Sequence, residues 1–285
     1  MDHPTTADRL GPPIDARPLF AVAHAALMDL LRELPEPDWR RPTACPGWSV
    51  RDLAAHVLGD HLNRLSRGRD GHTGVLAPRP GETLPAFLDR INDDWVRTAR
   101  AFSTRVLLDL LDLAGAQIAA YWSGMDDAEM AALGEPVTWA GDAPAPVWLD
   151  AARDHTEYWT HEQQIREAVG RPGRFAPEVF GPVLDTFMRA LPHTLSGAGG
   201  TCGSEVTVTV TGPAGGRWTC RHDGAAWTLR RDGAEHPDAA VEFDPDTAWR
   251  LCTRGITPEL AAERARTTGD PALTGAVLRM VSIIY

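Results

Sequence analysis

Residues 153–172, RDHTEYWTHEQQIREAVGRP, decide how this chain is read. The stretch fits the end of a helix of about 147–169, stopped by Gly170 and Pro172. Its polar pair, Glu157 and His161, sits among Trp159, Ile165, Ala168 and Val169. Helical residues four apart are neighbours, with Cβ atoms about 5–6 Å apart, so both side chains can reach one small object. A carboxylate and an imidazole together suit zinc and similar divalent ions. Gln164 and Ala168 continue the same face. Taken alone, this spacing is more often that of a solvated surface pair. A metal site needs a further ligand, and bundles supply ligands from facing helices.

Working outward, Leu19, Val22, Ala23, Leu27, Leu30, Leu31 and Leu34 recur at helical spacing. A proline-rich connection, PEPDWRRPTACPGW, leads to a second helix with several start signals. Ser49 is a good N-cap, Asp52 gives a weaker capping box, and Trp48 and Leu53 are placed as a hydrophobic staple. His56 lies two turns in, at the margin of the apolar stripe, where a residue can look into a pocket. Asp60, four residues on, is placed to orient His56 as an outer acceptor. Further helices are expected at 83–101, 104–123 and 176–196, with a break near Ser103. Long helices with modest connections imply an up-down four-helix bundle over 1–198.

The pattern changes after SGAGGTCGS, residues 196–204. EVTVTV, RWTCR, AWTLR and AAVEF alternate with period two, separated by turn residues. Short helices are expected at about 245–253, 258–266 and 271–284. Residues 199–285 therefore read as a small α+β domain.

Composition narrows the chemistry. The net charge of −11 argues against a nucleic-acid or anionic-membrane surface. No apolar run approaches the roughly 18 residues of a membrane span, and the start lacks the pattern of a signal peptide, so the chain is expected in the cytoplasm. All 28 basic residues are arginine, which excludes lysine Schiff bases and a phosphate-loop lysine. Cys45, Cys202, Cys220 and Cys252 form no C-x-x-C pair and read as buried, reduced thiols. Cys45 precedes a helix start, where the helix dipole favours a thiolate, but no obvious base adjoins it. His24, His61, His155 and His193 read as structural.

Spacing alone does not join residue 56 to residue 157. TACPGWSVRDLAAHVLGD (43–60), ARDHTEYWTHEQQIREAVGRPG (152–173) and LCTRGITPELAAERARTTGDPALTGAVLRMVS (251–282) together resemble the mycothiol-dependent maleylpyruvate isomerase family, within the DinB-like metalloenzyme superfamily. The resemblance implies a DinB-like bundle followed by a sterol-carrier-like C-terminal domain. It implies a zinc site formed by His56, Glu157 and His161 with an open position for the thiol of mycothiol. A coordinated thiol is deprotonated and nucleophilic. Adding to an activated double bond and leaving again isomerises a small electrophilic substrate, whereas displacing a leaving group is S-transfer. The family also uses a C-terminal arginine, for which Arg217, Arg221, Arg230, Arg231, Arg250 and Arg254 are candidates, and Trp48, Trp122 and Trp159 are candidate pocket walls. The same ligands also suit a hydrolase or lyase activating water. A non-catalytic small-ligand binder is the third reading.

Overall fold

The computed structural model describes residues 6–72, 74, 77–230, 233 and 235–282. Their contacts form two compact units. The first comprises Ala16–Asp126 and Glu157–Gly173, and the second Met1–Asp15, Asp127–Thr156 and Arg174–Tyr285. The expected helical bundle and α+β domain are both present. Asp127–Thr156 and the helices after Gly173 thus group with the sheet, whereas the sequence pattern placed the boundary at 198/199.

The first unit is a bundle of helices Leu19–Arg32, Val50–Arg64, Leu84–Ala99 and Thr104–Ser123, with the part of helix Val147–Ala168 that begins at Glu157. Val50–Arg64 is buried on nearly all sides, from Val50 and Leu53 through Val57 and Leu58. It packs against both Leu84–Ala99 and Thr104–Ser123. A helix buried all round has little room for polar side chains, so the histidines it carries need partners.

The start of this helix is fixed locally. The Ser49 side chain accepts from the Asp52 backbone N–H, and the Asp52 side chain accepts from the Ser49 backbone N–H, closing the capping box. Arg100 then grips the Asp52 carboxylate with two bonds, at 2.9 and 3.0 Å. Burial works against the ionised form of Asp52, but the Arg100 and Ser49 bonds outweigh it and lower its pKa. Ser103 caps helix Thr104–Ser123 at the expected break.

Two glycines set how closely the helices approach. A Cβ at Gly59 would lie 2.6 Å from Trp95, whose indole N–H donates to the Ala55 carbonyl at 2.6 Å. A Cβ at Gly115 would run into the His24 ring. Both helix crossings therefore depend on a missing side chain.

The second unit centres on a five-stranded sheet in the order Trp227–Arg230, Gly216–His222, Glu205–Val210, Ala239–Phe243, Arg266–Gly269. Glu205–Val210 pairs parallel with Ala239–Phe243, and the other pairs are antiparallel. Val206, Val208 and Val210 face the core, as their alternation requires. Helix Pro177–Phe187 is tied to this sheet through Asp185, which accepts from Trp218 Nε1 at 2.9 Å and from the buried Arg189 at 2.7 Å. Arg189 also donates to the Leu10 carbonyl.

Several expected boundaries shift. The helix expected over 176–196 is broken by a 3-10 turn at Met188–Ala190 before Leu191–Ser196. Pro258–Arg264 stops before Arg266–Gly269, which is an exposed edge strand rather than a helix end. Pairing with Ala239–Phe243 decides that segment, and its β-branched Thr267 and Thr268 suit it. The short hairpin of Leu133–Pro136 and Pro144–Pro146 and the π-turn Leu65–Arg69 have no periodic signal in the sequence. Part of the helix expected over 271–284 lies outside the described residues, and the observed helix is Pro271–Val277. Among the described residues no helix is long and apolar enough to cross a membrane.

Replacing Gly59 by Ala is expected to lower the urea midpoint of unfolding. Overpacking against Trp95 costs about 1–3 kcal/mol and displacing its hydrogen bond about 1 more. The gain in helix propensity is only about 1 kcal/mol. An unchanged or higher midpoint would show that Trp95 does not fix this crossing.

Candidate metal centre

Within the bundle unit, helix Val50–Arg64 brings His56 and Asp60 to the pair Glu157 and His161 on the last helix. Ligand atoms of these four residues all lie within 4.8 Å of one another. His161 Nε2 is 2.9 Å from Glu157 Oε1, and His56 Nε2 is 3.9 Å from the same oxygen. The two imidazole rings meet edge to face, with centroids 4.8 Å apart. Donor atoms about 2.1 Å from a shared ion stand roughly 3–4 Å from each other, so this spacing is close to a coordination shell. Nitrogen and carboxylate oxygen are donors that zinc and its neighbours accept. The donor set thus fits a divalent cation.

His161 is held from both sides. Its Nδ1 is 2.8 Å from Gln164 Oε1, while Nε2 faces Glu157. Both nitrogens face acceptor oxygens, which favours the doubly protonated ring. Burial alone would lower the His161 pKa, but the Glu157 charge and the adjacent Cys45 raise it well above the ordinary histidine value. Burial would likewise raise Glu157, yet His161 and His56 pull it below the usual carboxylate range. With Nε2 given to a cation, Nδ1–H donating to Gln164 fixes the ring tautomer. Sequence reading placed Gln164 on the right face but gave it no role.

Asp60 stands on a different side from the one expected. Its Oδ2 is 3.3 Å from His56 Nε2, the nitrogen that faces Glu157. His56 Nδ1, where an orienting carboxylate belongs, has no hydrogen-bond partner among the described residues.

Trp48 lies against His56, centroids 5.0 Å apart, with its indole N–H bonded to Asp93 at 3.0 Å. Trp122 and Trp159 are buried core residues. Cys45 reaches the edge of the cluster, its Sγ 3.4 Å from Gln164 Oε1, a proximity that no local pattern announces. Cys220 and Cys252 are buried, and burial pushes their thiols up, whereas Cys202 is exposed. His24 bonds Asp112 at 3.1 Å, and His61 packs edge-on against Tyr158, where burial lowers its pKa to about 3. His155 is lowered to about 4, first by burial and then by Arg174, while His193 is exposed.

Of the candidate arginines, Arg250 pairs with Asp246 at 2.8 Å and Arg221 approaches Glu205 at 3.9 Å. Arg217 and Arg230 are exposed. Arg254 has a left-handed backbone, φ 56°, and lines an open depression of about 710 Å³ in the sheet unit together with Trp139 and Arg279. Arg231 lies outside the described residues.

The family model for the mycothiol maleylpyruvate isomerase N-terminal domain matches residues 20–166, just over half the chain. A crystal structure of the mycothiol-dependent maleylpyruvate isomerase overlays with a TM-score of 0.53 at 12% identity, covering 89% of this chain and 91% of that one. A histidine-to-alanine variant of that isomerase overlays with the same TM-score at 11% identity and the same coverage. At such identities the likeness speaks for the fold alone. A sterol carrier protein domain from Helicoverpa armigera gives a TM-score of only 0.28 at 18% identity, over 37% of this chain and 89% of that one, too slight to carry an argument. No curated protein matches the chain.

The His161–Glu157 contact predicts a pH dependence in protein stripped of metal. A raised folded-state pKa gives stability that is complete below the unfolded histidine value of about 6.5 and is lost as pH rises through the folded value. Urea unfolding of stripped protein between pH about 6 and about 9 should show this decline, and Glu157→Gln should flatten it. An equally steep decline in the variant would place its origin elsewhere.

Proposed function

Because the chain belongs to the mycothiol maleylpyruvate isomerase N-terminal domain family, a family of enzymes, we propose that it is a metal-dependent enzyme using mycothiol on a small electrophilic substrate, by cis–trans isomerisation or S-transfer. The observation that carries this reading is the meeting of His56, Glu157 and His161 from two helices that are distant in sequence. These three residues are the proposed ligands, and zinc is the proposed ion. Three ligands from these residues leave room around the ion for a further donor, as catalytic zinc sites do. A divalent ion held there supplies Lewis acidity that turns a coordinated thiol into a thiolate.

The chain's own residues support that role. Gln164 holds His161 so that Nε2 points at Glu157. The Trp48 ring shields His56 from one side and is itself anchored by Asp93. Such anchoring keeps donors near productive geometry before any ligand arrives. Nothing in the cluster separates isomerisation from S-transfer, since both begin with the same thiolate. A cytoplasmic location is part of this proposal, because mycothiol is a cytoplasmic thiol.

Metal analysis of purified protein tests the ligand set. The wild type should hold one equivalent of divalent metal, and His161→Ala should lose it. Gln164→Leu, which removes only the acceptor for Nδ1, should weaken metal binding by about 10–100-fold. A full equivalent retained by His161→Ala would sink the site. Mycothiol-dependent turnover of maleylpyruvate, followed by ultraviolet absorbance, then tests the isomerase arm.

A further inference from the structure

On the reading that the cluster holds a divalent cation, we propose that Asp60 is a fourth protein ligand. Four observations point there. Asp60 Oδ2 approaches His56 at Nε2, 3.3 Å away, not at Nδ1. Nδ1 is buried without a partner among the described residues, so the polar contacts of His56 converge on Nε2. The ligand atoms of Asp60, His56, Glu157 and His161 share one small volume, all within 4.8 Å of one another. The Asp60 side chain is 29% exposed, open enough to adjust and close enough to bind.

The sequence pattern behind this is paired. His56 and Asp60 stand four apart on one helix, and Glu157 and His161 stand four apart on the other. Each helix therefore offers one imidazole and one carboxylate from neighbouring turns. A carboxylate that only orients a ligating histidine accepts the proton of its other ring nitrogen. Asp60 is not placed for that. Once His56 Nε2 gives its lone pair to a cation, it has no proton left to offer Asp60. The Asp60 oxygen, 3.3 Å from that nitrogen, is then close enough to reach the cation itself.

Charge supports the same assignment. Two neutral imidazoles and one carboxylate around a divalent ion leave a net charge of +1 in a largely buried place. Adding Asp60 brings the site to neutrality, which lowers the cost of burying it. It also makes the donor set richer in oxygen, which moves the preference toward ions that accept carboxylates. A thiol activated there would have to share the ion with Asp60 or replace it.

Cobalt(II) titration of stripped protein separates this proposal from the reading beneath it. The wild type should take up one equivalent and show ligand-field bands. Asp60→Asn, nearly isosteric, should bind at least about 10-fold more weakly and show shifted bands, while Asp60→Glu should recover part of the affinity. Far-UV circular dichroism checks that each variant is folded. Wild-type affinity with superimposable bands in Asp60→Asn overturns the proposal. So does weaker binding with unchanged bands, the signature of a residue that only positions another. No cobalt uptake by the folded wild type overturns the metal reading itself, and this proposal with it.

Discussion

A carboxylate held beside two imidazoles inside a helical bundle is the constraint around which helix Val50–Arg64 and its neighbour are arranged. Glu157 is buried enough that its charge is costly, and it stays ionised because His161 and His56 lie beside it. Removing such a charge from water costs several kcal/mol, and the mutual attraction seldom returns more than that. Replacing buried charge clusters by well-packed apolar residues is often neutral or stabilising. Stability therefore argues only weakly for the cluster, and a cation shared by its donors is the reason proposed for it.

Holding the cluster together places demands on helix Val50–Arg64. The helix must start at a fixed point, so that His56 and Asp60 arrive at the right height. The Ser49–Asp52 capping box fixes that start, and Arg100 clamps the same carboxylate from the end of the neighbouring helix. The helix must also lie close to its neighbour, and the absent side chain of Gly59 lets Trp95 in. Cap, clamp and close approach all act on the helix that carries His56. On the opposite helix Gln164 performs the matching task for His161.

Much of this was legible in the sequence. The Ser49 cap, the break at Ser103, the stop at Gly170 and the alternation of Glu205–Val210 are local signals, and local chemistry decided them. The spacing of Glu157 and His161 put the two side chains on one helix face, but their burial against His56 came from packing. What links residue 56 to residue 157 is packing between helices about 100 positions apart, which periodicity cannot show. Spacing also put Asp60 next to His56 without saying which ring nitrogen it would face, and the structure chose the side that the outer-acceptor reading did not. Cys45 and the strand Arg266–Gly269 were hidden for the same reason, since their surroundings come from distant segments.

The central claim is that the cluster binds a cation and that the cation binds a thiol. X-ray absorption at the metal edge, with and without mycothiol, tests both parts in one sample. The account predicts a first shell of nitrogen and oxygen near 2.1 Å that gains a sulfur scatterer near 2.3 Å when mycothiol is added. A shell of nitrogen and oxygen that does not change with thiol would contradict it, and would point to water as the activated group.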